Sequence, residues 1–257
     1  MSFAMSRAAY DRYMGRYSDQ LASAFLSFAG VTPGMRALDV GCGPGALTEA
    51  LARRLGAAYV AAADPSESFV TACADRVPGA DVRQGVAEGL PWPDATYDVV
   101  VSQLVMNFLA DADGGLEQMC RVVRPGGTVA CCTWDYARGM VMLRTFWDAA
   151  FELDEAAPDE GRLMRYCSEG ELAGLWERHG VAEVETSTID VTAEYAGFED
   201  YWIPFTLGVG PGGSYLASLD AERQEQLRAS CYRRLGAPGG EFTLPARAVA
   251  VRGRRPG

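Results

Sequence analysis

The spacing of apolar residues changes period repeatedly along the first half of the chain. Leu21, Ala24, Phe25 and Phe28 recur at helical spacing over 18–29, with Ser18 placed to cap that helix and Gly30 and Pro33-Gly34 to end it. Residues 35–40 then form a short apolar run, the signature of a buried strand. Leu47, Leu51 and Leu55 mark one face of a helix closed by Gly56. The alternation continues with a strand over 59–63, ended by Asp64-Pro65, and a helix capped by Ser66 that runs to Arg76. A short strand over 80–84 and a valine-rich strand over 97–102 follow. Leu116, Met119, Cys120 and Val123 make the next helix, stopped by Pro125-Gly126-Gly127 ahead of a strand over 128–133. Strands that are continuously apolar imply a parallel sheet covered on both faces. Right-handed crossovers place the C-terminal ends of such strands on one rim, where ligands of open α/β sheets bind.

After residue 134 the rhythm breaks. Residues 137–170 read as irregular and rich in aromatics and acids. A helix over 169–179 ends at Gly180, a strand follows over 181–191, and 195–238 is a second irregular and helical insertion, with Leu227, Cys231 and Leu235 on one helix face. Residues 244–251 predict a last strand. With no linker, repeat or low-complexity segment, residues 1–257 read as a single domain. In it, 35–134 form the ligand-binding core, 1–30 a helical cover, and 137–170 and 195–238 the lid and substrate insertions.

Composition narrows the partners. Of 257 residues 49% are hydrophobic, enough for a sizeable core. Lys and Arg number 23 and Asp and Glu 34, a net charge of −11 that repels nucleic-acid backbones. Seven cysteines without a Cys-x-x-Cys pair argue against a disulfide framework or a metal site and fit a reducing cytoplasm. No apolar stretch approaches the ~18 residues that span a membrane, and the first twenty residues carry no signal-type apolar core.

The candidate chemistry centres on Ala37-Leu38-Asp39-Val40-Gly41-Cys42-Gly43-Pro44-Gly45-Ala46-Leu47-Thr48, a strand that enters a glycine turn and leaves as a helix. The turn even satisfies the dinucleotide fingerprint. Asp64, at the end of the second strand, sits where a carboxylate accepts hydrogen bonds from a ribose diol. These residues alone indicate an adenosine-type ligand, NAD or S-adenosylmethionine. Three features separate the two. Asp39, two residues before the first glycine, suits a cationic methionine-like group and repels pyrophosphate. Val86-Ala87-Glu88-Gly89-Leu90-Pro91-Trp92-Pro93-Asp94 follows the third strand, and Arg121-Val122-Val123-Arg124-Pro125-Gly126-Gly127 precedes the fifth.

Together these motifs resemble the class I S-adenosylmethionine-dependent methyltransferases, most of all the ubiquinone/menaquinone-biosynthesis-like group of small-molecule enzymes. The resemblance covers 35–134 well and the segment 10–18 loosely. It implies an α/β, Rossmann-like fold: a seven-stranded, mostly parallel sheet with an antiparallel last strand, helices on both faces and helical lid insertions. It also implies roles. Gly41 and Gly43 pack against the methionine part of S-adenosylmethionine, and Asp39 organises its ammonium. Asp64 takes the ribose hydroxyls, Pro65 and Ser66 shape the adenine pocket, and Ala87 and Glu88 lie at the adenine edge. Ser102 and Gln103 approach the methionine part, and Arg16 pairs with its carboxylate. Relatives often carry an acid where this chain has Val86, so adenine recognition here falls to the backbone around Ala87.

Methyl transfer from a sulfonium is an in-line displacement that needs alignment and exclusion of water, and a base only if the acceptor must lose a proton. No catalytic residue is assigned. The single histidine, His179, falls at a helix end and reads as structural. Asn107, Asp135 and Tyr136 lie on the ligand rim, and Trp134, Tyr201, Trp202 and Phe205 suggest an aromatic-lined pocket for a small, apolar acceptor, or plain core. Two other functions remain open: an NAD(P)-dependent oxidoreductase, and a module that binds the cofactor without turnover.

Overall fold

The computed structural model describes residues 14–208 and 210–257; the rest of the expected N-terminal cover lies outside the described residues. The first helix, α1 (Arg16–Phe28), starts two residues before Ser18, which is therefore a buried interior position and not a cap. The elements that follow alternate: β1 (Ala37–Val40), α2 (Ala46–Leu55), β2 (Val60–Asp64), α3 (Glu67–Arg76), β3 (Asp81–Gln84), β4 (Tyr97–Gln103), α4 (Ala112–Val122) and β5 (Val123–Trp134). Ser66 occupies the N-cap of α3, yet its hydroxyl meets Ser68 Oγ at 2.8 Å and makes no cap. The Pro125-Gly126-Gly127 segment does not stop α4 either. The chain enters β5 directly at Val123, and these residues form a bulge within the strand: pairing with β4 jumps from Tyr97↔Val123 to Val99↔Thr128.

The stretch expected to be irregular holds two helices, α5 (Val141–Leu153) and α6 (Glu160–Leu163). Its helical period was hidden because α5 is apolar on most sides, with Met142, Leu143, Phe146, Trp147, Ala149 and Ala150 all buried. Then come α7 (Glu169–Arg178), β6 (Ala182–Tyr195), α8 (Phe198–Thr206), α9 (Gly210–Ser218), α10 (Ala221–Arg234) and β7 (Phe242–Arg254).

The seven strands are ordered β3-β2-β1-β4-β5-β7-β6. β1 pairs in parallel with β2 and β4, β2 with β3, and β4 with β5. β7 runs antiparallel. Its links to the fifth strand step in opposite directions, Arg255 N–H to the Gly127 carbonyl and Asp135 N–H to that of Arg247. Its ion pairs to β6 do the same, with Arg252 on Glu185 and Arg247 on Asp190. Every residue of β1 and β2 is buried, as a centre covered on both faces requires. No helix among the described residues is long and apolar enough to cross a membrane.

Contacts divide the chain into two compact units. The larger comprises Ser18–Thr133, Arg165–Ile189 and Ala248–Gly257, and holds the parallel strands. Leu38, Val100, Val129, Leu116, Leu172 and Trp176 belong to its main core, and Trp176 Nε1 donates to the Val129 carbonyl at 3.2 Å. The smaller unit has, among the described residues, 14–17, Trp134–Met164 and Asp190–Arg247. An aromatic core fills it: Phe146 stacks on Phe205 at 4.4 Å and lies edge-on to Trp147 at 5.2 Å.

Candidate functional site

The sheet reverses its strand order between β1 and β4, and the predicted residues of the larger unit gather at the ends of these strands and of β2. After β1 the chain turns through Gly41, Gly43 and Gly45, with φ of +78°, +51° and +92°. The three glycines serve different purposes. A Cβ on Gly41 would lie 2.4 Å from Val105 Cγ2, and one on Gly45 would lie 3.1 Å from Cys73 Sγ. Among the described residues, a Cβ on Gly43 would meet nothing within 4 Å. The first two are packed from behind, whereas Gly43 faces open space where a ligand can approach the backbone.

Asp64, the last residue of β2, fastens this turn. Its Oδ2 accepts from Gly43 N–H and its Oδ1 from Ser66 N–H, both at 2.9 Å. Burial pushes its pKa up while those two bonds oppose the shift. Each oxygen keeps a lone pair for a further donor. Asp39 is more deeply enclosed. Burial raises its pKa to about 7, the Asp64 charge adds to the shift, and the Thr48 hydroxyl, donating to Oδ2 at 2.7 Å, works against it. Asp39 Oδ1 is buried with no hydrogen-bond partner among the described residues. On the adjacent β4, Gln103 Nε2 donates to the Ser18 carbonyl at 3.3 Å, while its Oε1 is likewise buried and unpartnered. Two orphaned acceptors beside an open glycine turn call for a donor-rich, cationic ligand group.

The other predicted positions divide. Ser102 is buried and spends its hydroxyl on the Val40 carbonyl at 2.8 Å, which ties β4 to β1 and leaves no donor for a ligand. Ala87 and Glu88 lie in a short 3-10 turn with Ala87 buried, and Val86 beside them is 49% exposed. Pro65 offers its carbonyl to Gln84 at 3.0 Å. Asn107 lies in a 3-10 turn after β4.

In the smaller unit, Arg16 is held by protein partners. Its guanidinium grips Asp200 at 3.0 and 3.2 Å, donates to the Glu194 carbonyl and stacks 4.2 Å over the Tyr195 ring. Trp134 is buried edge-on to Tyr17 at 5.8 Å, and its Nε1–H has no partner. Tyr136 is buried. Tyr201 is fully buried and donates to the Met142 carbonyl at 3.1 Å, and Trp202 and Phe205 pack with it in the aromatic core. Asp135 accepts from Arg138 N–H at 3.0 Å, a turn role. His179 is bound to the Asp113 carboxylate at 2.8 Å, a structural contact made to a side chain rather than to helix-end carbonyls.

Thr48, Leu104, Val105 and Cys73 were not singled out from sequence. Leu104 holds φ of +64° and donates its N–H to the Cys132 carbonyl at 2.7 Å, a strained residue at the strand switch point. Thr48 lies in the first turn of the helix that follows a glycine turn, which is the one signal that could have marked it.

Among known proteins, residues 38–131 match the family described as a methyltransferase domain. The chain is 35% identical over 146 residues to a ubiquinone/menaquinone biosynthesis C-methyltransferase of Hydrogenovibrio crunogenus, covering 54% of this chain and 56% of that one. It is 36% identical over 104 residues to a ubiquinone biosynthesis O-methyltransferase of Rhizobium johnstonii, covering 39% and 41%. The matches thus span about half the length of these relatives. In fold it resembles the YcgJ protein of Bacillus subtilis, with a TM-score of 0.60 at 17% identity over 93% of this chain and 99% of that one.

Proposed function

We propose that the chain is a class I S-adenosylmethionine-dependent methyltransferase of the ubiquinone/menaquinone-like group, and that it transfers a methyl group from S-adenosylmethionine to O, N or C of a small, apolar or aromatic acceptor. The observation that carries the proposal is the pair of unpartnered, buried acceptors, Asp39 Oδ1 and Gln103 Oε1, beside a glycine turn that is open at Gly43. An ammonium group supplies the donors both lack. Dinucleotide pyrophosphate supplies none and would meet the carboxylates of Asp39 and Asp64, which disfavours the oxidoreductase reading.

When bound, the cofactor supplies a methyl carbon activated by a sulfonium leaving group. The chain's residues bind and orient. Asp39 and Gln103 accept from the ammonium, Gly41 and Gly43 give the backbone its close approach, and Asp64 receives the ribose hydroxyls on the lone pairs that Gly43 and Ser66 leave free. Pro65, Ser66, Ala87 and Glu88 bound the adenine, with Val86 offering apolar surface where relatives place an acid. The Arg16 guanidinium is engaged by Asp200 in this structure. The two relatives named above are called quinone-biosynthesis enzymes, one acting at carbon and one at oxygen, which fits an aromatic acceptor without choosing the atom. The cysteines are all free thiols, in keeping with a cytoplasmic enzyme.

Isothermal titration with S-adenosylhomocysteine tests the cofactor: absence of binding at millimolar concentration removes the proposal. Formation of S-adenosylhomocysteine with a panel of phenols, quinols and amines tests turnover. A chain that binds the cofactor and methylates none of them is a binding module.

A further inference from the structure

Cys42 and Cys73 share a small buried cluster with Ala62, apart from the main core of the larger unit. Cys42 stands between Gly41 and Gly43, and Cys73 is a buried residue of α3. Gly45, on the far side of the turn, lets Cys73 come close, since even a Cβ there would lie 3.1 Å from its sulfur. Cys73 Sγ donates to Thr48 Oγ1 at 3.4 Å, and Thr48 Oγ1 donates to Asp39 Oδ2 at 2.7 Å. A chain of polar contacts therefore leads from the thiol pair to the carboxylate assigned to the cofactor ammonium. Within this cluster the two thiols influence each other, which lowers the pKa of Cys73 and raises that of Cys42. Cys120 and Cys231 are instead pushed up to about 11 and about 12 by burial, and Cys131 and Cys132 well above the usual range.

We propose that Cys42 and Cys73 form a dithiol modification site that a peroxide closes to an intramolecular disulfide, and that this disulfide blocks cofactor binding at the glycine turn. The proposal rests on the reading of that turn as the cofactor seat. The Cys73 thiolate attacks one peroxide oxygen, the O–O bond breaks, and the leaving hydroxide takes a proton to become water, with Cys73 left as a sulfenic acid. Cys42 then gives up its thiol proton and attacks the Cys73 sulfur. The S–O bond breaks, and the oxygen leaves as a second water. Two thiols lose two electrons, and one peroxide gains them. A disulfide bond of about 2.05 Å draws the turn toward α3. The positive-φ glycines beside Cys42 allow this movement, and the Cys73 donor to Thr48 is lost.

The test uses the full chain treated with hydrogen peroxide, then alkylated. Intact mass and a non-reducing tryptic map are read beside S-adenosylhomocysteine binding before oxidation, after it, and after dithiothreitol. Arg53 and Arg54 lie between the two cysteines, so trypsin leaves them on separate peptides unless they are crosslinked. The expected results are loss of two hydrogens, a Cys42–Cys73 crosslink, binding weakened by at least roughly tenfold, and recovery on reduction. C42S and C73S form no crosslink, and each binds after peroxide as it did before. A crosslink elsewhere, oxidation to sulfinic acid without a crosslink, or a Cys42–Cys73 crosslink with unchanged binding overturns the proposal. If the reduced wild-type chain fails to bind S-adenosylhomocysteine, the cofactor reading falls, and the peptide map alone judges the disulfide.

Discussion

Asp39 and Asp64 were both legible as residue types at strand ends, yet their environments give them different work. Asp39 is protonated more readily than a free aspartate, with its pKa near 7 against an ordinary 3.8. The folded chain therefore holds a proton there that the unfolded chain has lost, and stability falls as pH rises from about 4 to 7. The full difference is worth about 4 kcal/mol. Asp39→Asn should flatten that part of the pH profile in urea titrations; an unchanged profile contradicts the assignment. A cationic ligand favours the charged carboxylate, so binding of S-adenosylhomocysteine to the wild type should strengthen up to about pH 7 and then level off, and the variant should lose this dependence. Asp64 joins the cofactor site to the fold, because it also accepts the Gly43 and Ser66 amides. Asp64→Ala should cost about 2 kcal/mol of stability as well as most of the cofactor affinity. Loss of affinity with full stability would mean that the two backbone bonds carry no weight. Neither the Thr48 bond to Asp39 nor the use of Ser102 by Val40 was visible beforehand, since side-chain partners come from elements distant in sequence.

At the scale of elements, the turn between β1 and α2 carries a graded prediction. Gly41→Ala adds a left-handed strain and a collision with Val105, and should destabilise by about 3 kcal/mol. Gly43→Ala adds the strain alone, about 1 kcal/mol, and places its methyl group in the open space above the turn. Chemical denaturation should rank Gly41→Ala as the less stable, while calorimetry should find Gly43→Ala impaired in cofactor binding beyond its effect on stability. Equal effects at both positions would remove the distinction between packed and open glycines. The alternation of strands and helices up to residue 134 was readable because each strand is a continuous apolar run. The helix α5 was not, because residues buried on several sides erase the helical period. The proline and glycines after Arg124 read as a stop, but the chain absorbs them as a strand bulge, with Gly126 at φ of +74°.

For the whole molecule, saturation with S-adenosylhomocysteine at a hundred times its dissociation constant should add about 2.7 kcal/mol to the unfolding free energy, seen as a higher melting temperature. NAD at the same concentration should add nothing; the reverse result would restore the oxidoreductase reading. Arg16→Ala should lower stability through the lost Asp200 and Tyr195 contacts while cofactor affinity stays at the wild-type value. A fall in that affinity would return Arg16 to the site. The sequence by itself determined the alternating α/β class, the strand that presents Asp39, the glycine turn and the acid ending the second strand, because each depends on residues adjacent in the chain. The antiparallel last strand was implied by the family resemblance, and only the tertiary structure decided that it lies between β5 and β6 and that Arg16 is engaged by Asp200. The same holds for Tyr201 as core and for Cys73 beside Cys42. These pairings join segments tens to hundreds of residues apart, and packing selects them where local patterning is silent.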